Sequence, residues 1–309
     1  MNTMQEQAKN TPAQTDHASW RDYYELCKPR VVFLIVFTAI VGMFLATPGM
    51  VPLQPLIFGT LGIGLAAASA AAINQLVDQQ VDSIMGRTSQ RPLPTGHLSK
   101  SQALVFAIII GIIAMLILVL LVNVITAVLT FCSLIGYAVI YTMFLKHATP
   151  QNIVIGGAAG AAPPVLGWSA VTGTIDPNSL LLFLIIFAWT PPHFWALAIH
   201  KRDEYAKVDI PMLPVTHGVE FTRLHVLLYT IILCAVTLLP YLVGMSGFIY
   251  LFTTLILDTI FMVYALRLMF GKSPSVAIKT FAYSILYLML LFAALLIDHY
   301  FLILPPLPR

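Results

Sequence analysis

The run Leu65-Ala-Ala-Ala-Ser-Ala-Ala-Ala-Ile-Asn74-Gln-Leu-Val-Asp78-Gln-Gln-Val-Asp82 decides how the rest of the chain is read. Its first half is small and apolar, like the end of a membrane helix. Its second half carries an amide and two carboxylates spaced every four residues. On a helix that spacing sets all three on one face, with neighbouring Cβ atoms about 5–6 Å apart. Ionisable groups at the end of a membrane span are costly unless cations meet them, and a helix C-terminus favours positive charge. Arg87 and Arg91 follow at once. Hard oxygen donors of this kind suit Mg²⁺, which shares its shell with substrate phosphates. The motif therefore reads as a Mg²⁺–diphosphate site at a membrane surface. The plain alternative is a solvated helix end holding Arg87 or Arg91.

Composition supports the membrane setting. Of 309 residues, 59% are hydrophobic and 9% charged, against about 25% charged in a soluble domain. A net charge of +3 gives no reason to invoke nucleic acid. Cys27, Cys132 and Cys234 form no zinc or haem-attachment spacing and read as free thiols. Residues 1–22 read as a polar, disordered tail and 23–309 as a single membrane domain. The start of the tail is neither signal peptide nor presequence, which points to a bacterial plasma (inner) membrane.

Nine apolar segments approach the roughly 20 residues that a spanning helix needs: 31–48, 55–76, 101–120, 122–143, 151–171, 178–199, 223–244, 246–268 and 276–298. The expected fold is therefore an all-α, nine-helix integral membrane protein. Lys9, Arg21, Lys28 and Arg30 precede the first span, and Arg87, Arg91, Lys100, Lys146, Lys201, Arg202, Lys207, Arg223, Arg267, Lys272 and Lys279 all fall on the same side; only Arg309 falls opposite. By the positive-inside rule the N-terminus is cytoplasmic and the C-terminus outside. A faint repeat links Arg91-Pro-Leu-Pro-Thr-Gly-His97 to Pro211-Met-Leu-Pro-Val-Thr-His-Gly218. Each follows an acidic stretch after an even-numbered span, as two four-helix halves closed by a ninth helix would require.

The second acidic stretch, Asp203-Glu-Tyr-Ala-Lys-Val-Asp209, supplies Asp203 and Asp209 as further metal ligands, or is an ordinary charged loop. Arg87, Arg91 and Lys146 lie on the same side and would stabilise a departing diphosphate, although every cytoplasmic cation also marks topology. Gly156-Gly-Ala-Ala-Gly-Ala-Ala-Pro-Pro164 allows close helix packing or borders a cavity. In Thr190-Pro-Pro-His193-Phe-Trp195 the paired prolines free backbone groups, which happens beside cavities. There His193 is a transient haem-iron ligand, a proton carrier, or a packed and hydrogen-bonded histidine. Asp258 in span eight lines the cavity or is satisfied by a neighbour, and Asp298 and His299 receive no role.

Taken together, the acidic motif, the basic loop and the spans resemble the intramembrane, UbiA-type prenyltransferases, with Tyr141-Thr-Met-Phe-Leu-Lys146-His-Ala-Thr149-Pro-Gln151 similar to that superfamily's Tyr…Lys…Thr segment. Within it the chain resembles most the protohaem IX farnesyltransferases, or haem O synthases. The matching residues are Lys28-Pro-Arg-Val-Val, Arg87-Thr…Arg91-Pro-Leu-Pro-Thr-Gly, Thr149-Pro-Gln-Asn152-Ile, Thr190-Pro-Pro-His-Phe-Trp, Ile210-Pro-Met-Leu-Pro-Val and Phe281…Ser284-Ile-Leu-Tyr-Leu. The resemblance implies transfer of farnesyl from farnesyl diphosphate to a vinyl group of haem b, giving haem o and diphosphate with Mg²⁺ as cofactor. It implies Asn74, Asp78, Asp82, Arg87, Arg91, Lys146 and Asp203 as catalytic, and Tyr141, Asn152, His193 and Lys207 as substrate-binding. Asp78, Asp82, Asp203 and Asp209 are the implied metal ligands. A haem A synthase or an oxidase-assembly factor is the implied protein partner, and the site faces the cytoplasm. One departure stands out: where the superfamily has a second DxxxD, Asp203 is followed at +4 by Lys207 and at +6 by Asp209. A quinone-precursor prenyltransferase and, further off, a cation-coupled carrier are the competing readings. A carrier site would sit nearer the midplane with access from both sides.

Overall fold

The computed structural model describes residues 18–86, 88–271, 273 and 275–301. Thirteen helices account for most of the described residues: α1 Trp20–Leu26, α2 Pro29–Leu45, α3 Pro55–Val77, α4 Gln79–Ile84, α5 Lys100–Leu121, α6 Val124–Ala148, α7 Asn152–Thr172, α8 Pro177–His200, α9 Arg202–Ala206, α10 Leu213–Thr216, α11 Val219–Leu242, α12 Phe248–Phe270 and α13 Ser275–Tyr300. Eight of these are long and apolar enough to cross a membrane, and a ninth crossing arises if α1 and α2, bent by 54°, act as one broken span. The apolar runs read from the sequence fall on these helices with ends shifted by a few residues.

Three shifts matter. The first helix begins at Trp20, inside the stretch read as tail, because Ser19 and Asp22 form a reciprocal capping box that satisfies the first free N–H groups; residues 1–17 lie outside the described residues. The first apolar run, read as 31–48, is helical over Pro29–Leu45. The fourth, read as ending at 143, runs on to Ala148. That extension moves Lys146 from a loop onto a helix's last turn.

Helix α5 is peripheral: 17% of its apolar window is buried, against 61% in α7 and α8, which form the centre. Leu104, Ile108, Ile112 and Leu116 of α5 face outward, as lipid contact requires, since hydrocarbon demands internal hydrogen bonding but no polar surface. Helix α3 packs on α5 and α2, α2 on the second half of α7, and α8 on α11 and α13. The α2–α7 contact depends on two glycines. A Cβ on Gly42 would stand 2.2 Å from the Pro164 carbonyl oxygen, and one on Gly167 would stand 1.9 Å from that of Ala39. Small residues thus bring two backbones together.

The far ends of α12 and α13 are tied by a side chain. Asp298 accepts hydrogen bonds from the N–H groups of Gly247 and Tyr250, the latter at 3.1 Å, and so caps α12 from its neighbour. His299 is bonded to the Thr47 carbonyl at 2.9 Å. Asp258 is satisfied by adjacent helices, accepting from Thr237 Oγ1 at 2.9 Å and Tyr287 Oη at 2.6 Å.

Candidate active site

Asn74, Asp78 and Asp82 lie where α3 passes into α4. The four-residue hydrogen bonding runs on through the junction, with Asp78 N–H bonded to the Asn74 carbonyl at 2.9 Å and Asp82 N–H to that of Asp78 at 2.8 Å, although Asp78 itself, at φ −79° and ψ 0°, marks a break between the two helices. The four-residue spacing therefore holds, and the three side chains share a face: Asn74 Nδ2 donates to Asp78 Oδ2 at 3.0 Å. All three are buried, at 4–5% exposure.

Each of the three meets a cation. Lys28 Nζ donates to Asn74 Oδ1. Lys146 Nζ lies 2.7 Å from Asp78 Oδ2, and Arg91 Nη1 lies 2.5 Å from Asp82 Oδ2. Three different devices aim these cations. Lys28 sits at the α1–α2 bend in left-handed backbone, φ 50° and ψ 61°, a conformation that is rare for a lysine. Arg91 is carried by a loop tied down through Thr88 Oγ1 to the Asp82 carbonyl and Gln79 Nε2 to the Leu93 carbonyl, each at 3.0 Å. Lys146 follows a π-helical stretch, Gly136–Leu145, within α6. Such segments are frequent at functional sites. This one also carries Thr142, which accepts from Asn74 Nδ2 at 3.1 Å. Tyr137 and Tyr141 stack at 5.5 Å on the same stretch, and Tyr141 lies over Gly156, where a Cβ would come 2.2 Å from its ring. In the Gly156–Pro164 run, Gly156 therefore admits Tyr141, while Pro164 takes part in the close α2–α7 packing.

Among the buried acceptors of the described residues that have no donor, two adjoin this row: Asp78 Oδ1 and Asn152 Oδ1. Asn152 Nδ2 is bonded to the Lys146 carbonyl at 3.0 Å, so both orphans adjoin Lys146's residue. An all-oxygen set with an unpartnered carboxylate oxygen fits Mg²⁺. Among the described residues, however, no three His, Cys, Asp or Glu side chains stand close enough to hold a metal alone. The fit is to an ion that completes its shell with water and substrate oxygens.

The second acidic loop comes near the first through apolar packing, since Tyr205, Ile210 and Met212 share a cluster with Met85, which directly follows α4. Asp203, Lys207 and Asp209 are nevertheless exposed, and the structure does not join their side chains to Asp78 or Asp82. Asp209 takes a φ of 50°. Arg87 lies outside the described residues.

His193 is deep in α8. Its ring stacks between Trp189 at 4.2 Å and Phe281 at 4.6 Å, and Nδ1 is 2.6 Å from Ser284 Oγ. Members of these constellations that were not singled out as site residues from the sequence include Lys28, Tyr137, Thr142 and Ser284. For Lys28 the available signal is a lone lysine before a proline at the mouth of the first span.

The model of the UbiA prenyltransferase family matches residues 35–303. A protoheme IX farnesyltransferase from Methylococcus capsulatus is 63% identical over 282 residues, covering 91% of this chain and 95% of that one. Its namesake from Hahella chejuensis is 59% identical over 292 residues, covering 94% and 98%. Among solved structures, digeranylgeranylglyceryl phosphate synthase superposes with a TM-score of 0.77 at 18% identity, covering 91% of this chain and 98% of that one. A UbiA homolog from Archaeoglobus fulgidus bound to GPP and Mg²⁺ gives 0.59 at 19% identity, covering 89% and 99%. The structural likenesses carry the fold and the sequence matches carry the family. The chain thus belongs to the UbiA prenyltransferase family.

Proposed function

We propose that this protein transfers the farnesyl group of farnesyl diphosphate to a vinyl group of haem b, and that water then adds to the carbocation left on the former vinyl carbon and loses a proton, giving haem o and diphosphate. The observation that carries the reaction type is the buried row Asn74, Asp78 and Asp82, met one for one by Lys28, Lys146 and Arg91. Burying such charges costs several kcal/mol per ion, and their pairing rarely returns more than that. A row of three in a membrane protein is therefore best explained by a ligand that uses both signs. The acceptor is supported by the relatives named protoheme IX farnesyltransferase.

Asp78 and Asp82, with Asn74 beside them, would hold Mg²⁺. When bound, it supplies Lewis-acid neutralisation of the leaving diphosphate. Lys146, Arg91 and Lys28 hydrogen-bond the diphosphate oxygens as the C–O bond to farnesyl breaks, and these are contacts that strengthen as charge develops. Arg87, four residues before Arg91 in the sequence, is the further cation for this role. Tyr137 and Tyr141 wall the allylic end with aromatic surface and keep water from the cation until the vinyl group attacks it. Asn152 fixes the backbone that carries Lys146. Asp203 and Asp209 enter as the second acidic pair and Lys207 as a substrate cation. They are exposed, so this role requires their loop to come inward when substrate binds.

The basic loops face the cytoplasm and the C-terminus lies outside, in a bacterial inner membrane. Haem A synthase or an oxidase-assembly factor is the partner that would receive the product.

Purified protein in detergent, given haem b, farnesyl diphosphate and Mg²⁺, is the test. A haem heavier by a hydroxyfarnesyl group, absent with Asp78→Asn or EDTA, is the expected result by mass spectrometry. Farnesyl transfer only to a phenolic acceptor would overturn the haem assignment. No metal-dependent release of diphosphate would overturn prenyl transfer itself.

A further inference from the structure

The hydrogen bonds around His193 settle which of its ring nitrogens carries the proton. Ser284 Oγ is 2.6 Å from His193 Nδ1 and also 2.6 Å from the Phe281 carbonyl oxygen. Contacts that short each need a proton between the two atoms. A carbonyl oxygen has none to give and the serine has one. The serine proton therefore goes to Phe281, and the other contact must be filled by Nδ1–H of the imidazole. A neutral His193 is left with a lone pair on Nε2.

Among the described residues Nε2 has no hydrogen-bond partner, while the ring is clamped between Trp189 and Phe281 at interplanar angles of 19° and 27°. Trp189 is held in turn, its Nε1 donating to the Ser284 carbonyl at 2.8 Å. One residue of α13 thus fixes the tautomer with its side chain and the stacking partner with its backbone. Seven residues separate His193 from His200 at the end of α8, about 10 Å at 1.5 Å per residue. His193 therefore lies below the loops that follow α3 and α8, within the bilayer.

A histidine that donates through one nitrogen and presents the other bare has the arrangement of a metal ligand with its orienting partner. We propose that His193 Nε2 is an axial ligand to the iron of the haem acceptor, and that Ser284 is the positioning residue that sets its tautomer and aim. The inference rests on the proposed haem acceptor. It implies that the porphyrin is gripped through its iron before its vinyl group meets the farnesyl cation.

The full-length protein in detergent is titrated with haem b and, separately, with metal-free protoporphyrin IX, and the haem spectrum is read by absorption and electron paramagnetic resonance. The wild type is expected to give a nitrogen-ligated haem and to bind metal-free porphyrin at least tenfold more weakly. His193→Gly should lose that spectrum and regain it with added imidazole. Ser284→Ala should weaken haem binding about 10- to 100-fold, the usual cost of losing an orienting partner, while Ser284→Thr, which keeps the hydroxyl, retains the ligated spectrum. An unchanged spectrum in His193→Gly, in a protein that still makes haem o, overturns this inference alone. Failure of the wild type to bind or farnesylate haem overturns the underlying function instead. Loss of product with an intact ligated spectrum would make His193 a proton carrier and also refute the iron contact.

Discussion

The Lys146–Asp78 pair offers a test in which stability and activity move in different directions. The two side chains are 12% and 7% exposed and 2.7 Å apart, so solvent screens them little. Asp78→Asn leaves an uncompensated buried ammonium, and Lys146→Met leaves a buried carboxylate. Breaking a buried pair from one side costs about 3–5 kcal/mol. Because each residue keeps some contact with water or with Asn74, the low end applies, about 3 kcal/mol. For a chain of this length that is about 6 °C in Tm, at about 2 °C per kcal/mol. Combining Asp78→Asn with Lys146→Met removes both charges, and replacing a buried pair with neutral groups is often close to neutral. The double variant should therefore melt within about 2 °C of wild type while all three variants lose prenyl transfer. Thermal unfolding of the detergent-solubilised proteins, followed by fluorescence, reads the first part, and diphosphate release reads the second. Additive melting losses, with no coupling beyond about 0.5 kcal/mol, would refute the pair as the arrangement that holds Lys146. Full activity in the double variant would refute its role in the reaction.

Gly156→Ala puts a Cβ 2.2 Å from the Tyr141 ring, so the ring must move by about 1 Å, and a shift of that size can cost about 100-fold in kcat/KM. Adding Tyr141→Val should restore the melting temperature without restoring turnover, which separates packing from substrate contact. Asp298→Ala removes the cap of α12 and should cost about 1–2 kcal/mol, seen as a lowered Tm with unchanged KM for farnesyl diphosphate. Arg91→Lys keeps the charge but loses the guanidinium fork. It should lower kcat/KM for farnesyl diphosphate at least tenfold, and a full-rate variant would remove Arg91 from the leaving-group contacts.

The membrane helices were readable because long apolar runs leave little alternative, and Asn74, Asp78 and Asp82 were readable because the four-residue spacing is a helical period. Lys146 and Arg91 were recognisable as partners by type and side. Their one-to-one match with particular acids was not, since it depends on a π-helical stretch and a folded loop that hydropathy does not report. Lys28 reaches Asn74 only through a left-handed bend, which no pattern announces in a lysine. Ser284 meets His193 from 91 residues away, a distance that local spacing cannot bridge. Asp258 and Asp298, left open or without a role in the sequence, turn out to be satisfied by neighbouring helices. Asp203 and Asp209 show the reverse difficulty: their acidic pattern was plain, but it does not report that both flank the buried Tyr205 with their own side chains exposed.

The π-helical stretch of α6 makes that span sensitive to length. In an ordinary α-helical span a lost residue already turns everything beyond it by about 100°. Here the ten residues Gly136–Leu145 wind more widely than an α-helix. Deleting one residue and relaxing the stretch to α geometry would rotate everything beyond it, so that Lys146 would point away from Asp78 while the span still crossed the membrane. The azimuth of one ammonium is thus written into the winding of a helix.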